Sequence, residues 1–263
     1  MRHCLGTLSR DFVWLHPQIF VEVCSGSGRL SRAVSQRGGF VLQWDIQLGS
    51  AYDLTKPEIQ RLLRGWVIAG KVWGLHIATP CASFSIARGG WNPSLRSSEF
   101  PLGLPDLNDR SRMQVASGNE LAQVSVGLVL LARRMMIPVT LENPASSFLF
   151  KIPSFTHTMQ LPGVSIATTE FCMYGTPFRK STKLIGFNID LAALGLHRCL
   201  CKPRRLCART FKPHVVLSGL DAQGNFKTAS AQAYPHRFCT LLVRCFTNAL
   251  AERRAREIMI LLK

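Results

Sequence analysis

Apolar residues in this chain fall into short runs broken by glycine and proline, separated by stretches where they recur every three or four positions. Ile19 to Val23, Phe40 to Trp44, Val72 to Ala78 and Val139 to Leu141 are runs of the first kind, and each predicts a buried strand. Between them lie helical patterns. Leu30, Ala33 and Val34 share one face of 29–37, closed by Gly38-Gly39. Ile59, Leu62 and Leu63 follow Pro57, with Thr55 and Glu58 at capping-box spacing. Leu121, Val124, Leu128, Leu131 and Met135 repeat up to the stop at Pro138. A last helix over about 233–262 would bury Phe238, Leu241, Leu242, Cys245, Phe246 and Leu250 and turn Arg253, Arg254 and Arg256 outward. Strands alternating with helices predict a doubly wound α/β sheet.

Two stretches resist the pattern. Gly89 to Arg112 is rich in Pro, Gly, Ser and Arg; it reads either as a lid meeting phosphate and base through Arg88, Trp91, Arg96, Arg110 and Arg112, or as a solvated insert. From His197 to His214, basic residues alternate with His197, Cys199, Cys201, Cys207 and His214, and Gly219 to Asn225 then reads as a turn.

Candidate chemistry sits where strands end. Cys24-Ser25-Gly26-Ser27-Gly28 breaks the first strand, and Asp45 closes the second, nineteen residues after Gly26. Glycines let a backbone approach a ligand, and a carboxylate after strand two accepts ribose hydroxyls. Ser31 stands where a dinucleotide fingerprint has its third glycine, so an adenosyl ligand without a pyrophosphate, such as S-adenosylmethionine, fits better. Asp53 either meets an adenine amino group or is a solvated turn residue. Pro80 ends the third strand and puts Cys81 on the tip of a turn; Glu142-Asn143-Pro144 ends the fourth.

Charge adds a partner class. The chain of 263 residues carries 32 Lys and Arg against 15 Asp and Glu, a net charge of +17 that favours a polyanion, with nucleic acid foremost. Nine cysteines without a secretory signal at the N-terminus suggest a reduced, intracellular setting, the nucleus in a eukaryote. The longest apolar run, Val124 to Ala132, is too short for a membrane span. Neither a membrane nor an obligate protein partner is expected. Cys199, Cys201, Cys207 and His214 offer four tetrahedral zinc ligands at non-standard spacing, or are incidental thiols in a basic loop.

The segments Glu22-Val-Cys-Ser-Gly26-Ser-Gly28, Thr79-Pro80-Cys81-Ala82-Ser83-Phe84-Ser85 and Glu142-Asn143-Pro144 together resemble cytosine-C5 DNA methyltransferases, in matching order across roughly 20–183. The chain looks most like the short, divergent members of phages and mobile elements. It departs from them at Val23-Cys24, where the family has Leu-Phe, and at Pro144, where it has valine.

The resemblance implies a Rossmann-like methyltransferase core over 1–183, a small basic target-recognition region over 184–232 and a C-terminal helix over 233–263. It implies Cys81 as nucleophile, Glu142 and Asn143 holding a flipped cytosine, and, by a loose match at Tyr174 to Lys180, Arg179 as catalytic arginine. S-adenosylmethionine would be held by Glu22, Cys24, Gly26, Gly28, Asp45, Asp53 and Pro80, and DNA by Ser83, Ser85, Arg88, Arg198, Arg204 and Arg205. Two alternatives stay open: an RNA cytosine methyltransferase, and a nucleic-acid-binding protein that keeps the fold without the catalysis.

Overall fold

The computed structural model describes residues 18–86, 94–201, 206–217, 219, 223 and 227–261. Its centre is one six-stranded sheet. In chain order the strands and helices are β1 (Ile19–Val23), α1 (Arg29–Ser35), β2 (Val41–Trp44), α2 (Pro57–Ile68), β3 (Val72–Ile77), α3 (Asp109–Arg134) and β4 (Val139–Pro144). Then come α4 (Pro153–Thr158), β5 (Val164–Glu170), β6 (Ser181–Phe187), α5 (Ala192–Gly195) and α6 (His236–Leu261).

Across the sheet the order is β2-β1-β3-β4-β6-β5. The first four strands are parallel, whereas β6 runs antiparallel between β4 and β5. Strand order therefore reverses direction outward from β1 and β3, and their carboxyl ends open on a common edge, where such sheets take ligands.

Residue alternation in the buried strands feeds two cores. Ile19, Val21 and Val23 pack with Leu63, Trp66 and Val67 of α2 and with Ala122, Val126 and Val129 of α3. Phe20 faces the other way, joining Leu30 and Val34 of α1 and Phe238, Leu242 and Phe246 of α6. Helices cover both faces, the doubly wound Rossmann-like arrangement that the alternating pattern predicts.

Four details differ from expectation. Helix α3 begins at Asp109, capped by the Asn108 side chain accepting from Ser111 N–H at 2.9 Å; its first turns are mostly exposed, so they carry no apolar stripe. Helix α3 contains a stretch long and apolar enough to cross a membrane, yet Val115, Ala122, Ser125, Val126, Leu128, Val129 and Ala132 are buried within the fold. The capping box at Thr55 and Glu58 does not form: Thr55 donates from both N–H and hydroxyl to Asp53 Oδ1, and α2 starts at Pro57. Finally, β6 crosses the expected boundary at 183/184 as one continuous strand, because both its neighbours pair along its whole length.

Candidate active site

Strands β3 and β4 pair in parallel, Ile77 beside Leu141, so the residues that follow them emerge together. After β3 the chain runs through Thr79 and Pro80 to Cys81, then turns back with Phe84 N–H donating to the Cys81 carbonyl at 3.0 Å. Asn143 fastens the two strand ends: its Nδ2 donates to the Thr79 carbonyl at 2.6 Å. The Thr79 hydroxyl meanwhile bonds Ser125 Oγ of α3 at 2.8 Å. Cys81 is thus held from below by β4 and from behind by α3.

Glu142 is buried, and its two carboxylate oxygens differ. Oε2 accepts the Tyr234 hydroxyl at 2.9 Å, while Oε1 is buried without a hydrogen-bond partner. Tyr234 in turn lies 3.0 Å from Nε2 of His76, whose Nδ1 lies 2.7 Å from Thr140 Oγ1. With Glu142 ionised the donors run one way, from Thr140 to His76 to Tyr234 to the carboxylate. Complete burial drives the His76 pKa down to about 3, so this imidazole stays neutral and serves as a fixed strut. A buried oxygen left unpaired is costly, which makes Oε1 a place that a ligand would satisfy, through an N–H when the group is a carboxylate or a ring nitrogen when it is the acid.

Burial also raises the Cys81 thiol above its ordinary pKa; the charge of Lys180 opposes that and the charge of Glu142 adds to it. The cation facing this thiol is therefore Lys180, whose Nζ also donates to the Ala231 carbonyl at 3.2 Å and sits 4.9 Å over the Phe171 ring. Arg179 is elsewhere. Its guanidinium reaches Glu170 Oε1 at 3.4 Å and Cys201 Sγ at 3.3 Å. Tyr174 to Lys180, the segment of the loose match, lies in the connection between β5 and β6.

The glycine turn after β1 lies on the same sheet edge. Cys24, Gly26 and Gly28 all have left-handed backbones, with φ of 56°, 49° and 61°. The two glycines differ in what surrounds them. A Cβ on Gly28 would stand 2.2 Å from the terminal amide of Gln43, which can swing aside, so it is the left-handed φ that favours glycine there; beside Gly26 there is open space. Asp45 braces the turn, accepting Gly26 N–H on Oδ2 at 2.8 Å and Gln47 N–H on Oδ1 at 2.9 Å. Each oxygen keeps a second lone pair for a hydroxyl. Ser25 Oγ is buried without a partner, a second polar atom awaiting one. Open space at Gly26, the free lone pairs of Asp45 and the unpaired Ser25 hydroxyl fit an adenosyl ligand.

Other expected cofactor contacts are engaged in holding the fold. Glu22 Oε2 accepts Ser31 N–H at 2.8 Å, tying β1 to α1; burial raises its pKa to about 7 despite that bond. Asp53 is occupied by Thr55, whose hydrogen bonds hold its pKa below the usual carboxylate value. Cys24 is half-buried, and burial pushes its thiol up to about 12. Pro80 is exposed beside Cys81.

Among the residues expected to meet nucleic acid, Ser83 is buried rather than offered to solvent, because Arg96 has claimed it. Arg96, expected in a lid, is itself only 1% exposed. Its guanidinium donates to Ser83 O, Ser83 Oγ, Pro101 O, Val115 O and Asn119 Oδ1, and lies 3.9 Å over the Phe84 ring. Ser85 is half-buried, and Arg198 is exposed with its Nε 3.2 Å from Glu170 Oε2. Arg88, Arg204 and Arg205 lie outside the described residues.

No family model and no characterised protein sequence matches the chain. Among solved structures, a variant of the Spodoptera frugiperda DNMT2 is similar at 14% identity with a TM-score of 0.35, covering 64% of this chain and 49% of that one. The match thus spans about half the length of that protein and is too slight to add to the topology already described.

Sequence reasoning passed over Lys180, Tyr234 and His76. A histidine inside the otherwise apolar β3 was the available sign, since a buried imidazole needs partners on both nitrogens. Tyr234 gave none beyond its place just before Pro235 and the last helix. The zinc set also changes. Cys172, Cys199, Cys207 and His214 bring their ligand atoms within 4.8 Å of one another. Cys201 is not among them, because the chain after Cys199 turns its thiol toward Arg179.

Proposed function

We propose that this chain is an S-adenosylmethionine-dependent methyltransferase acting on C5 of cytosine in DNA through a covalent Cys81 adduct. The observation that carries the reading is the Glu142 carboxylate. One oxygen is held by Tyr234 and the other is buried and unpaired, on the strand end next to the Pro80-Cys81 turn. A carboxyl group set beside a thiol in this way suits a ring whose N3 must be protonated while sulfur adds to C6.

The chain's residues divide the work as follows. Cys81 loses its proton to water and forms an S–C6 bond, and the electron pair of the 5,6 double bond moves through the ring toward N3. Glu142, as the acid, delivers a proton to N3 from Oε1 while Tyr234 fixes the carboxyl plane. Lys180 favours the thiolate against the burial that opposes it. Asn143 keeps the Cys81 turn on β4. S-adenosylmethionine, held at Ser25, Gly26 and Asp45, supplies an electrophilic methyl group for C5. Afterwards the C5 proton leaves to water, the S–C6 bond breaks, and Glu142 recovers the N3 proton. A stacked base cannot reach a recessed thiol, so the cytosine must flip out. The net charge of +17 supports a polyanionic substrate, whose binding should weaken steeply with salt.

The test uses oligonucleotides carrying 5-fluorocytosine in many sequence contexts, as DNA and as RNA, with S-adenosylmethionine. Fluorine at C5 blocks the final elimination, so the wild type should form an adduct that survives a denaturing gel. Cys81→Ser should abolish it; Glu142→Gln should slow it and leave cofactor binding intact. An adduct with RNA alone would move the substrate from DNA to RNA. Cofactor binding without any adduct would sink the enzymatic reading and leave a nucleic-acid binder.

A further inference from the structure

Away from the thiol of Cys81, three other cysteines form a buried cluster of their own, Cys172, Cys199 and Cys207. Cys172 comes from the short helical turn Phe171–Tyr174 after β5; the other two come from the basic segment after α5. His214 completes the group. Its Nε2 stands 3.7 Å from Cys199 Sγ, and all four potential ligand atoms lie within 4.8 Å of one another. A zinc ion bound at ordinary bond lengths holds its ligand atoms roughly 3.5–3.8 Å apart, so the four need close by only about 1 Å.

We propose that Cys172, Cys199, Cys207 and His214 hold a structural zinc ion. Packing of small apolar thiols would not account for what surrounds them. Ala208 N–H donates to Cys199 Sγ at 3.3 Å, and His214 Nε2 lies 3.7 Å from the same sulfur. Donors aimed at sulfur stabilise thiolate, the form that binds metal. A tight turn presents them: Cys207 N–H bonds Lys212 O at 2.8 Å, Phe211 N–H bonds Cys207 O at 2.9 Å, and Phe211 takes a left-handed φ of 55°. That turn swings His214 back onto Cys199. A disulfide would use two sulfurs and leave a thiol and an imidazole unaccounted for. Three soft thiolates and an imidazole in a closed set favour zinc over the harder cations.

Charge agrees with this set. Three thiolates, a neutral imidazole and Zn²⁺ sum to one negative charge. Beside them, buried Glu170 receives Arg179 at 3.4 Å, Arg198 at 3.2 Å and the Cys199 N–H at 3.0 Å, so one of the two guanidinium charges is left over to balance the site. The consequence is mechanical. One ion would staple the basic segment carrying Arg198, Arg209 and Lys212 to the turn that leads into Lys180. The site stands independently of the chemistry proposed for Cys81.

Protein purified with zinc in the medium should contain about one equivalent by elemental mass spectrometry. Content should fall to near zero in His214→Ala and Cys172→Ser, and stay at the wild-type level in Cys201→Ser. Restoring four ligands with His214→Cys should restore the metal, which separates loss of a ligand from loss of the fold. Cobalt replacing the zinc should show the strong visible bands of tetrahedral thiolate coordination. A wild type without zinc and without those cobalt bands would overturn the proposal, as would zinc retained by Cys172→Ser and lost from Cys201→Ser.

Discussion

Arg96 is a buried cation with five acceptors and, among the described residues, no carboxylate bonded to it, so its removal should be felt throughout the Cys81 turn. Arg96→Met keeps much of the volume over Phe84 and takes away every donor. Ser83 Oγ can turn to another partner. The carbonyls of Ser83 and Pro101 are backbone and cannot follow, whereas Val115 lies inside α3 and its carbonyl keeps the helical bond. Each stranded carbonyl costs about 1–3 kcal/mol, while the relief of no longer burying a guanidinium, whose pKa is already pushed down to about 10, offsets part of the total. A net loss of about 3 kcal/mol follows, which for a chain of this size is roughly 6–12 °C in melting temperature. Arg96→Lys should fare little better, since one ammonium cannot span acceptors on two loops and a helix. Gly118→Ala offers an independent route to the same damage: its Cβ would come within 2.4 Å of Ser83 Oγ and 3.0 Å of Arg96 Nη2. Because both substitutions break one clamp, the double variant should be markedly less destabilised than the sum of the two. Thermal denaturation followed by circular dichroism measures all three. A shift below about 2 °C for Arg96→Met, or full additivity, would refute the reasoning.

Tyr234→Phe removes the hydroxyl between His76 and Glu142; adduct formation with 5-fluorocytosine should slow at least about tenfold with cofactor affinity unchanged, and equal rates would discount the strut. Lys180→Met takes away the charge that favours the Cys81 thiolate, so the pH profile of adduct formation should move to higher pH; an unmoved profile would separate Lys180 from the thiol. Glu22 is raised from 4.5 to about 7, so the stability it contributes is fully present below pH 4.5 and is lost as pH climbs through 7. Relative to Glu22→Gln, the wild type should therefore lose about 3 kcal/mol across that interval, whereas a pH-independent difference would show that Glu22 is not buried as a charge.

What was legible in the sequence is what depends on neighbours along the chain. The apolar runs at β1 to β4 and the helical stripes of α2 and α6 are local patterns, and the turns carrying Gly26 and Cys81 and the strand end carrying Glu142 follow from the glycines and prolines beside them. Harder to read were the residues whose partners lie far off. Val164–Glu170 is rich in serine and threonine and half-exposed as an edge strand, so it lacks a clear alternation. Arg96 looks like any loop arginine until α3 brings Val115 and Asn119 around it. Cys201 is the thiol nearest Cys199 along the chain; Cys172, far back in sequence, is the one that satisfies the geometry.

The tether from Tyr234 to Glu142 also sets an order of events. The two residues are 92 positions apart, and His76 and Tyr234 are 158 apart. Contacts of such separation close late, because the long loops between them must be ordered first. On a ribosome, β3 and β4 can pair and bring Cys81 beside Glu142 well before residue 234 has been made. Until it arrives, the carboxyl group lacks its anchor. A nascent or clipped chain would then hold the thiol and the carboxylate without the geometry that joins them, and full synthesis itself would act as the licence for activity.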